Sequence, residues 1–173
     1  KEEVGGAKAL NKTGIPAFEV KDMKEVRETV LKLTELLAVS VVDAELNESL
    51  PALNENVTAE TLMGIFESPV EVWSSYETEV KTVLARIGGI AVAAVVFDGG
   101  EAGVELNAAK LAKIKNFAEL ACCYSLPFVT FNDVKGICPC TCTNNSRVMK
   151  ECAEYLDMLD TIDTAKIAVT YKK

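Results

Sequence analysis

The chain has 173 residues, with 18 basic and 26 acidic side chains, a formal net charge of −8 at pH 7 and no histidine. This length fits one domain, or slightly more than one, with a substantial hydrophobic core. The absence of histidine excludes Ser-His-Asp and Cys-His nucleophile systems, an imidazole base and histidine metal ligands, and the acidic balance argues against binding of nucleic acid or of an anionic membrane.

Two features of the sequence bear on its location. No apolar run approaches the roughly 18–20 residues of a membrane span, and the charged start Lys1-Glu2-Glu3 lacks the apolar segment of a signal peptide. We therefore expect a soluble, cytoplasmic protein without a transmembrane segment. The missing initiator methionine indicates that the chain has been cut or processed.

The N-terminal part begins with a Gly5-Gly6 turn and a strand-like stretch at residues 15–20. A helix follows, because Asp22 and Glu25 form a capping pair and an apolar stripe continues at helical spacing. The stripe, which we expect to be buried, consists of Val26, Val30, Leu33 and Leu37. Residues 41–57 are acidic with little periodicity, as is typical of a linker. Thr58 then caps a short helix with Leu62, Ile65 and Phe66.

From residue 70 onward, predicted strands alternate with predicted helices. Residues 70–76 and 82–87 are strands, and the Gly88-Gly89 turn leads into Ile90–Phe97, which is apolar at every position and therefore buried on both faces. Asn107 opens a helix with one apolar face. Its predicted inward residues are Leu111, Ile114, Phe117 and Ala118, and its predicted outward residues are Lys110, Lys113 and Glu119.

The last part of the chain continues this alternation. Pro127 precedes a second buried strand, Phe128–Asn132, and a loop follows at residues 133–144. Ser146 caps a third long helix, whose apolar stripe holds Val148, Cys152, Tyr155 and Leu159, and residues 167–171 are a last buried strand. The pattern predicts an α/β fold with crossover connections. Because no helix follows the last strand, we expect the chain to be an interior excerpt of a longer protein.

Six cysteines lie in the last third of the chain. Three of them, Cys138, Cys140 and Cys142, are weak candidates for a thiolate metal site, since the C-x2-C pairs typical of zinc sites do not occur. We expect reduced thiols, with a metal or redox cluster and disulfides as the alternatives.

Candidate binding residues lie in the loops after the buried strands, because ligands of open α/β folds collect beyond the carboxyl ends of the strands. These loops are residues 98–103 and residues 133–144. The second contains a glycine turn ahead of a helix, a pattern that can aim backbone N–H groups at an anion or a polarised carbonyl. Many α/β connections share this pattern.

A more specific resemblance runs through these loops. Its main segments are Arg86-Ile87-Gly88-Gly89 ahead of the buried strand, then Gly103-Val104, and then Leu126-Pro127-Phe128-Val129-Thr130-Phe131-Asn132-Asp133-Val134-Lys135-Gly136. They resemble the A-R-L-G-G-x-x-V-G and N-I-P-L-V-T-F-V-D-V-P-G-F-L-P-G motifs of the carboxyltransferase subunit of biotin-dependent acyl-CoA carboxylases and decarboxylases. Residues 5–22 and 165–173 agree as well, so the resemblance covers nearly the whole chain.

The resemblance implies an α/β, crotonase-like (ClpP/crotonase) superhelix of ββα units, present here in part. It implies a transferase or ligase chemistry in which a carboxyl group moves between carboxybiotin and the α-carbon of an acyl-CoA thioester, with oxyanions held by backbone N–H groups. The implied biotin- or acyl-CoA-binding residues are Val134, Lys135, Gly136 and Ile137, with Gly99 and Gly100 in a neighbouring turn. No catalytic side chain is certain within the chain.

The implied cofactor is biotin on a partner carrier protein or domain, and the implied substrate is a coenzyme A thioester. A homo-oligomer is expected, and a membrane decarboxylase partner stays open. Residues 1–40 would be the tail end of an N-terminal carboxyltransferase half, residues 41–69 an acidic linker with a short helix, and residues 70–173 the first part of a C-terminal crotonase-like domain. The parent protein would be an enzyme, and this excerpt alone would be inactive.

Departures from the family pattern leave alternatives open. Lys135, Ile137 and Cys140 replace a proline, a phenylalanine and a glycine, and positions where the family has histidine fall on Glu151 and about Leu10. One alternative is a non-catalytic crotonase-fold scaffold or assembly subunit. Another is a different crotonase-type acyl-CoA enzyme, such as a hydratase or thioesterase, that uses acidic side chains of residues 98–105.

Overall fold

The computed structural model describes residues 5–38, 57–137 and 146–171. The helices are α1 (Ala7–Leu10), α2 (Met23–Leu37), α3 (Ala59–Met63), α4 (Ala108–Cys123) and α5 (Ser146–Thr161), with a 3-10 turn at Asn11–Thr13. The strands are β1 (Glu67–Val72), β2 (Val80–Ile87), β3 (Ile90–Phe97), β4 (Val104–Leu106), β5 (Phe128–Asn132), β6 (Val134–Ile137) and β7 (Lys166–Thr170). The predicted linker lies almost wholly outside the described residues.

A five-stranded sheet in the order β1-β2-β3-β5-β7 forms the centre of the structure. Its first three strands are antiparallel neighbours, whereas β3, β5 and β7 run parallel. The β2–β3 hairpin closes at the pair Ile87 and Ile90. Gly88 and Gly89 both have positive φ, +58° and +83°, which glycine adopts without the steric cost of a side chain and which suits the twist of a two-residue hairpin.

Both faces of this sheet are covered by apolar packing. One cluster joins α2, α4 and the loop before β7 to one face, and a second joins α3 and neighbouring residues to the other. Strand β3 is buried at every position except Ile90, which is partly buried, so the continuous apolar run of the sequence is confirmed as a strand enclosed on both sides.

The helix starts follow the predicted caps. Asp22 accepts a hydrogen bond from the N–H of Glu25 at 2.8 Å, and Thr58 accepts one from the N–H of Thr61 at 3.1 Å. Asn107 caps α4 in the same way, with 2.8 Å to the N–H of Lys110. The predicted stripe of α2 is wrong at Val30, which is 54% exposed, because the buried side of the helix passes through Leu36 instead.

Several predicted strands differ from the structure. Residues 15–20 form no strand, since Pro16 lacks an N–H group and the stretch is attached to the loop after β1 through Ala17, whose carbonyl accepts from the N–H of Trp73. The first strand of the sheet is Glu67–Val72 and not residues 70–76, and the predicted loop at residues 133–144 begins with β6, paired with β4.

Strand β7 is present but is not buried as predicted. It pairs with β5 in the expected parallel manner, yet all five of its residues are exposed, because it is an edge strand of the sheet order. None of the helices in the described part of the chain is long and apolar enough to cross a bilayer.

Candidate functional site

The two predicted binding loops leave the sheet at the same edge. Strands β3, β5 and β7 are parallel and in register, with Val96 opposite Phe131 and Phe131 opposite Val169. Their carboxyl ends therefore meet at one edge. Residues 98–103 follow β3 and residues 133–137 follow β5 at this edge, where open α/β sheets bind ligands.

The turn after β3 is fixed where it leaves the sheet. The N–H of Asp98 donates to the carbonyl of Glu79 at 2.8 Å, and the Asp98 carboxylate pairs with the ammonium of Lys81 at 2.9 Å. Gly99 then lies directly against the far end of the same turn. A Cβ on Gly99 would stand 2.2 Å from the carbonyl carbon of Gly103, so only glycine fits there.

A backbone hydrogen bond fastens this turn to the loop after β5. The N–H of Val104 donates to the carbonyl of Asp133 at 2.8 Å, and the two chain segments continue side by side as β4 and β6. Lys135 pairs with Glu105 across these short strands at 3.1 Å between Nζ and Oε1. The structure thus brings the two loops into direct contact.

The predicted site residues take different positions on this joined surface. The side chains of Val134 and Ile137 are exposed, and Lys135 is partly neutralised by Glu105. A Cβ added to Gly100 or to Gly136 would meet no atom within 4 Å, so open space lies where a side chain would stand at both positions. Gly99, in contrast, is closed in by its own turn.

Two acidic side chains near this edge are engaged in ion pairs. Asp98 pairs with Lys81 and Glu105 pairs with Lys135, as described above. Glu151, at a position where the resembling family has histidine, lies on α5 and binds the Lys115 ammonium of α4 at 3.1 Å. Glu151 therefore takes part in the packing of two helices.

Two lysines of α4 contradict the predicted orientation of that helix. Lys110 and Lys113 were expected to face solvent, but both are buried, Lys113 to 2% exposure. The Lys113 ammonium donates to four backbone carbonyls, at 3.0 Å to Trp73, 2.5 Å to Tyr76, 3.4 Å to Glu77 and 2.5 Å to Val80. It holds together the loop between β1 and β2, which borders the same sheet edge.

Lys110 connects that loop to β4, the short strand that follows the turn after β3. Its ammonium pairs with the Glu79 carboxylate and donates to the carbonyl of Glu105 at 2.9 Å. A sequence signal for both lysines exists, because they lie seven and four residues before the buried Phe117 and so share its helical stripe. Charge alone had placed them on the outer face.

We expect the stability contributed by Lys113 to rise with pH in the alkaline range. Burial lowers the pKa of Lys113 to about 8 from 10.5, and Glu71 and Glu77 act in the opposite direction. Between these values the unfolded chain binds more protons than the folded one, so raising the pH favours folding. The melting temperature of wild type minus that of Lys113→Met should increase from about pH 7.5 to about pH 10. A constant or shrinking difference would contradict this.

The cysteines do not form a metal site in the described part of the chain. Cys122, Cys123 and Cys152 are free thiols, and no group of three or more potential ligands occurs among the described residues. The weak candidates Cys138, Cys140 and Cys142 lie outside those residues, so this site stays a prediction from sequence.

Comparison with solved structures identifies the fold. The chain is similar to the 12S transcarboxylase hexamer core with methylmalonyl-coenzyme A and methylmalonic acid bound, at 20% identity and a TM-score of 0.80, over 98% of this chain and 36% of that one. It is similar to the same protein with hydrolysed methylmalonyl-coenzyme A bound, at 20% identity and 0.80, over 98% and 37%. A single-chain, multi-domain long-chain acyl-CoA carboxylase aligns at 12% identity and 0.82, over 98% and 18%.

These matches confirm the predicted α/β, crotonase-like fold, present in part, since the chain spans little more than a third of the length of the first of these proteins. Curated protein sequences contain no significant match. The model of the carboxyl transferase domain matches residues 22–173. The chain belongs to the carboxyl transferase domain family, as the motifs around Gly88-Gly89 and Gly136 predicted.

Proposed function

We propose that this chain is part of a biotin-dependent acyl-CoA carboxyltransferase or acyl-CoA decarboxylase. The observation that carries the proposal is the junction of the two glycine-bearing loops at the carboxyl edge of β3 and β5, in a member of the carboxyl transferase family. The methylmalonyl-coenzyme A bound by the 12S transcarboxylase supports an acyl-CoA as the substrate class.

The residues at this edge suit a site built from backbone donors. Gly100 and Gly136 have open space where a side chain would stand, so a reactant can approach the main chain closely at both positions. The exposed side chains of Val134 and Ile137 offer apolar surface for an acyl chain or a ring. The Lys135–Glu105 pair limits net charge beside them.

The cofactor implied by the family fits this arrangement. Biotin, when bound, would supply a ureido group that carries the carboxyl and accepts the α-proton, so no imidazole base is needed. Val134, Lys135, Gly136 and Ile137, with Gly99 and Gly100 in the neighbouring turn, would line its pocket or that of the acyl thioester. Their part is to bind and orient the reactants through the main chain.

The remaining assignments belong to the same proposal. Residues 1–40 end an N-terminal carboxyltransferase half, residues 41–69 connect the halves, and residues 70–173 begin the C-terminal crotonase-like domain. The partners are a biotin carboxyl carrier and further copies of the subunit, the latter supported by the hexamer of the 12S transcarboxylase. The protein acts in the cytoplasm.

We expect the full-length protein, assayed with a biotinylated carrier, to turn over malonyl-, methylmalonyl- or glutaconyl-CoA. The carboxyl product or released carbon dioxide is measured with radiolabelled thioester. Correctly assembled protein that turns over none of the three would contradict the proposal and favour the non-catalytic scaffold.

A matched pair of variants tests whether the reaction uses this edge of the sheet. Ile137→Glu places a carboxylate on the proposed pocket, where it would repel the anionic substrate, and is expected to lower kcat/KM at least tenfold, or roughly 1.4 kcal/mol. Leu31→Glu on α2 is the control, since Leu31 is 49% and Ile137 46% exposed. Equal effects of the two changes would place the reaction elsewhere.

A further inference from the structure

Tyr171 connects the carboxyl ends of three adjacent strands. It directly follows β7, and its N–H donates to the carbonyl of Asn132 at the end of β5, at 3.3 Å. Its phenol hydroxyl reaches past β5 and donates to the carbonyl of Phe97, the last residue of β3. The Tyr171 side chain packs against the second apolar cluster, the one that joins α3 to the sheet.

The carbonyl that accepts from Tyr171 belongs to the peptide unit on which the turn after β3 begins. The N–H of this unit, from Asp98, donates toward β2, to Glu79. In a trans peptide the C=O group points the opposite way, so the Phe97 carbonyl points toward β5 and β7. Hydrogen bonds from two directions therefore fix the plane of this peptide unit.

Fixing this peptide sets the direction in which Gly99 and Gly100 leave the sheet. The other end of the same turn is held by the bond from Val104 to Asp133. We propose that Tyr171 is a positioning residue, whose hydroxyl holds the Gly99-Gly100 turn in the orientation that carboxyl transfer requires. This inference rests on the proposed function.

The phenol stays a donor over the range in which such a reaction is assayed. Burial and, to a smaller extent, the carboxylates of Asp133 and Asp98 raise the pKa of Tyr171 to about 12. Asp98 lies in the turn after β3, and Asp133 directly follows β5. The hydrogen bond from the Tyr171 hydroxyl to the Phe97 carbonyl is thus expected to be independent of pH from neutral to mildly alkaline conditions.

The test is Tyr171→Phe in the full-length, assembled protein, which keeps the packed ring and removes only the hydroxyl. We expect kcat for carboxyl transfer to fall about tenfold, with KM for the acyl-CoA changed less than about twofold, because orientation and not binding is lost. Tyr124→Phe is the matched control, since Tyr124 is exposed at the end of α4, and it should leave both constants unchanged.

Amide hydrogen exchange of residues 98–104 is the second readout. Tyr171→Phe should accelerate exchange in this segment about tenfold while leaving β2 and α4 protected. Unchanged exchange in residues 98–104 would show that the Tyr171 hydroxyl does not hold this turn. Faster exchange with unchanged kcat, or a rise in KM alone, would overturn the positioning role.

The two proposals fail in different ways. If wild-type protein turns over none of the three thioesters, the proposed function fails and the catalytic role of Tyr171 fails with it. The exchange rates then still report whether the hydroxyl holds the turn. If wild type is active and both variants behave alike in every readout, the function stands and the inference on Tyr171 is overturned.

Discussion

Lys113→Met is expected to destabilise the protein by about 3 kcal/mol and to lower its melting temperature by roughly 6–12 °C for a domain of this length. The methionine side chain fills a similar volume but has no hydrogen to donate. Four carbonyls that now accept from the Lys113 ammonium would lose this donor inside the structure. Buried acceptors that lose their partner cost about 1–3 kcal/mol each unless they find another.

The loop held by Lys113 also contains backbone strain. Trp73 and Glu77 both have positive φ, +55° and +44°, which non-glycine residues rarely adopt. Such conformations persist only where the surrounding contacts determine them. We therefore expect the loop between β1 and β2 to open in Lys113→Met before the rest of the sheet, which hydrogen exchange of residues 73–80 would detect.

Lys24→Met is the control for this prediction. Lys24 lies on α2 with its side chain 84% exposed and forms only a 3.8 Å pair with Glu28. An exposed pair of this kind contributes well under 1 kcal/mol, so the control should melt close to wild type. If Lys113→Met melts within about 2 °C of wild type as well, the four carbonyl contacts contribute nothing measurable.

The parts of the fold that could be predicted are those in which local sequence and burial agree. The run Ile90–Phe97 has no polar position, so a strand formed by it must be buried on both faces. Gly88-Gly89 supplies the positive φ of a tight hairpin, and Asp22, Thr58 and Asn107 supply caps that bond to the nearby chain. Each of these signals acts within a few residues.

Two of the wrong predictions concern contacts between segments far apart in the chain. Lys113 was assigned to solvent because a lone charge is costly to bury, yet carbonyls 33 to 40 residues away in sequence solvate it. The strand at Lys166–Thr170 has the residue types of a buried strand, but what covers a strand depends on its neighbours in the sheet.

The candidate site likewise has a part that could be predicted from the sequence and a part that could not. Its location could be predicted, since residues 98–103 and 133–137 follow parallel strands and must leave the sheet at one edge. The bond between Val104 and Asp133 could not, because it depends on the path of the turn and on the β4–β6 pairing. The reach of Tyr171 to the Phe97 carbonyl depends likewise on the spacing of three strands.

Gly99→Ala is expected to produce the other large effect, a loss of about 3 kcal/mol or more with disruption of the turn after β3. An added Cβ would stand 2.2 Å from the carbonyl carbon of Gly103 and 2.4 Å from the nitrogen of Val104. Both atoms are backbone, and the Val104 N–H is also bonded to Asp133. The clash cannot be relieved by a rotating side chain, so the main chain must move.

The movement would separate the two loops of the candidate site. Displacing Val104 breaks the bond to Asp133 that holds the turn to β6, so hydrogen exchange should rise in residues 98–106 and also in Val134–Ile137. Carboxyl transfer by the full-length protein should fall at least a hundredfold, since β6 and the turn after β3, which would orient the reactants, shift together.

Gly5→Ala provides the matched control for this substitution. A Cβ at Gly5 would meet no atom within 4 Å, so the same added methyl group should leave melting and exchange unchanged. If Gly99→Ala melts like Gly5→Ala and keeps the exchange pattern of wild type, the turn adapts without moving Val104. The close approach of Gly99 to Gly103 would then not be what joins the two loops, and their contact would depend on β4 and β6 alone.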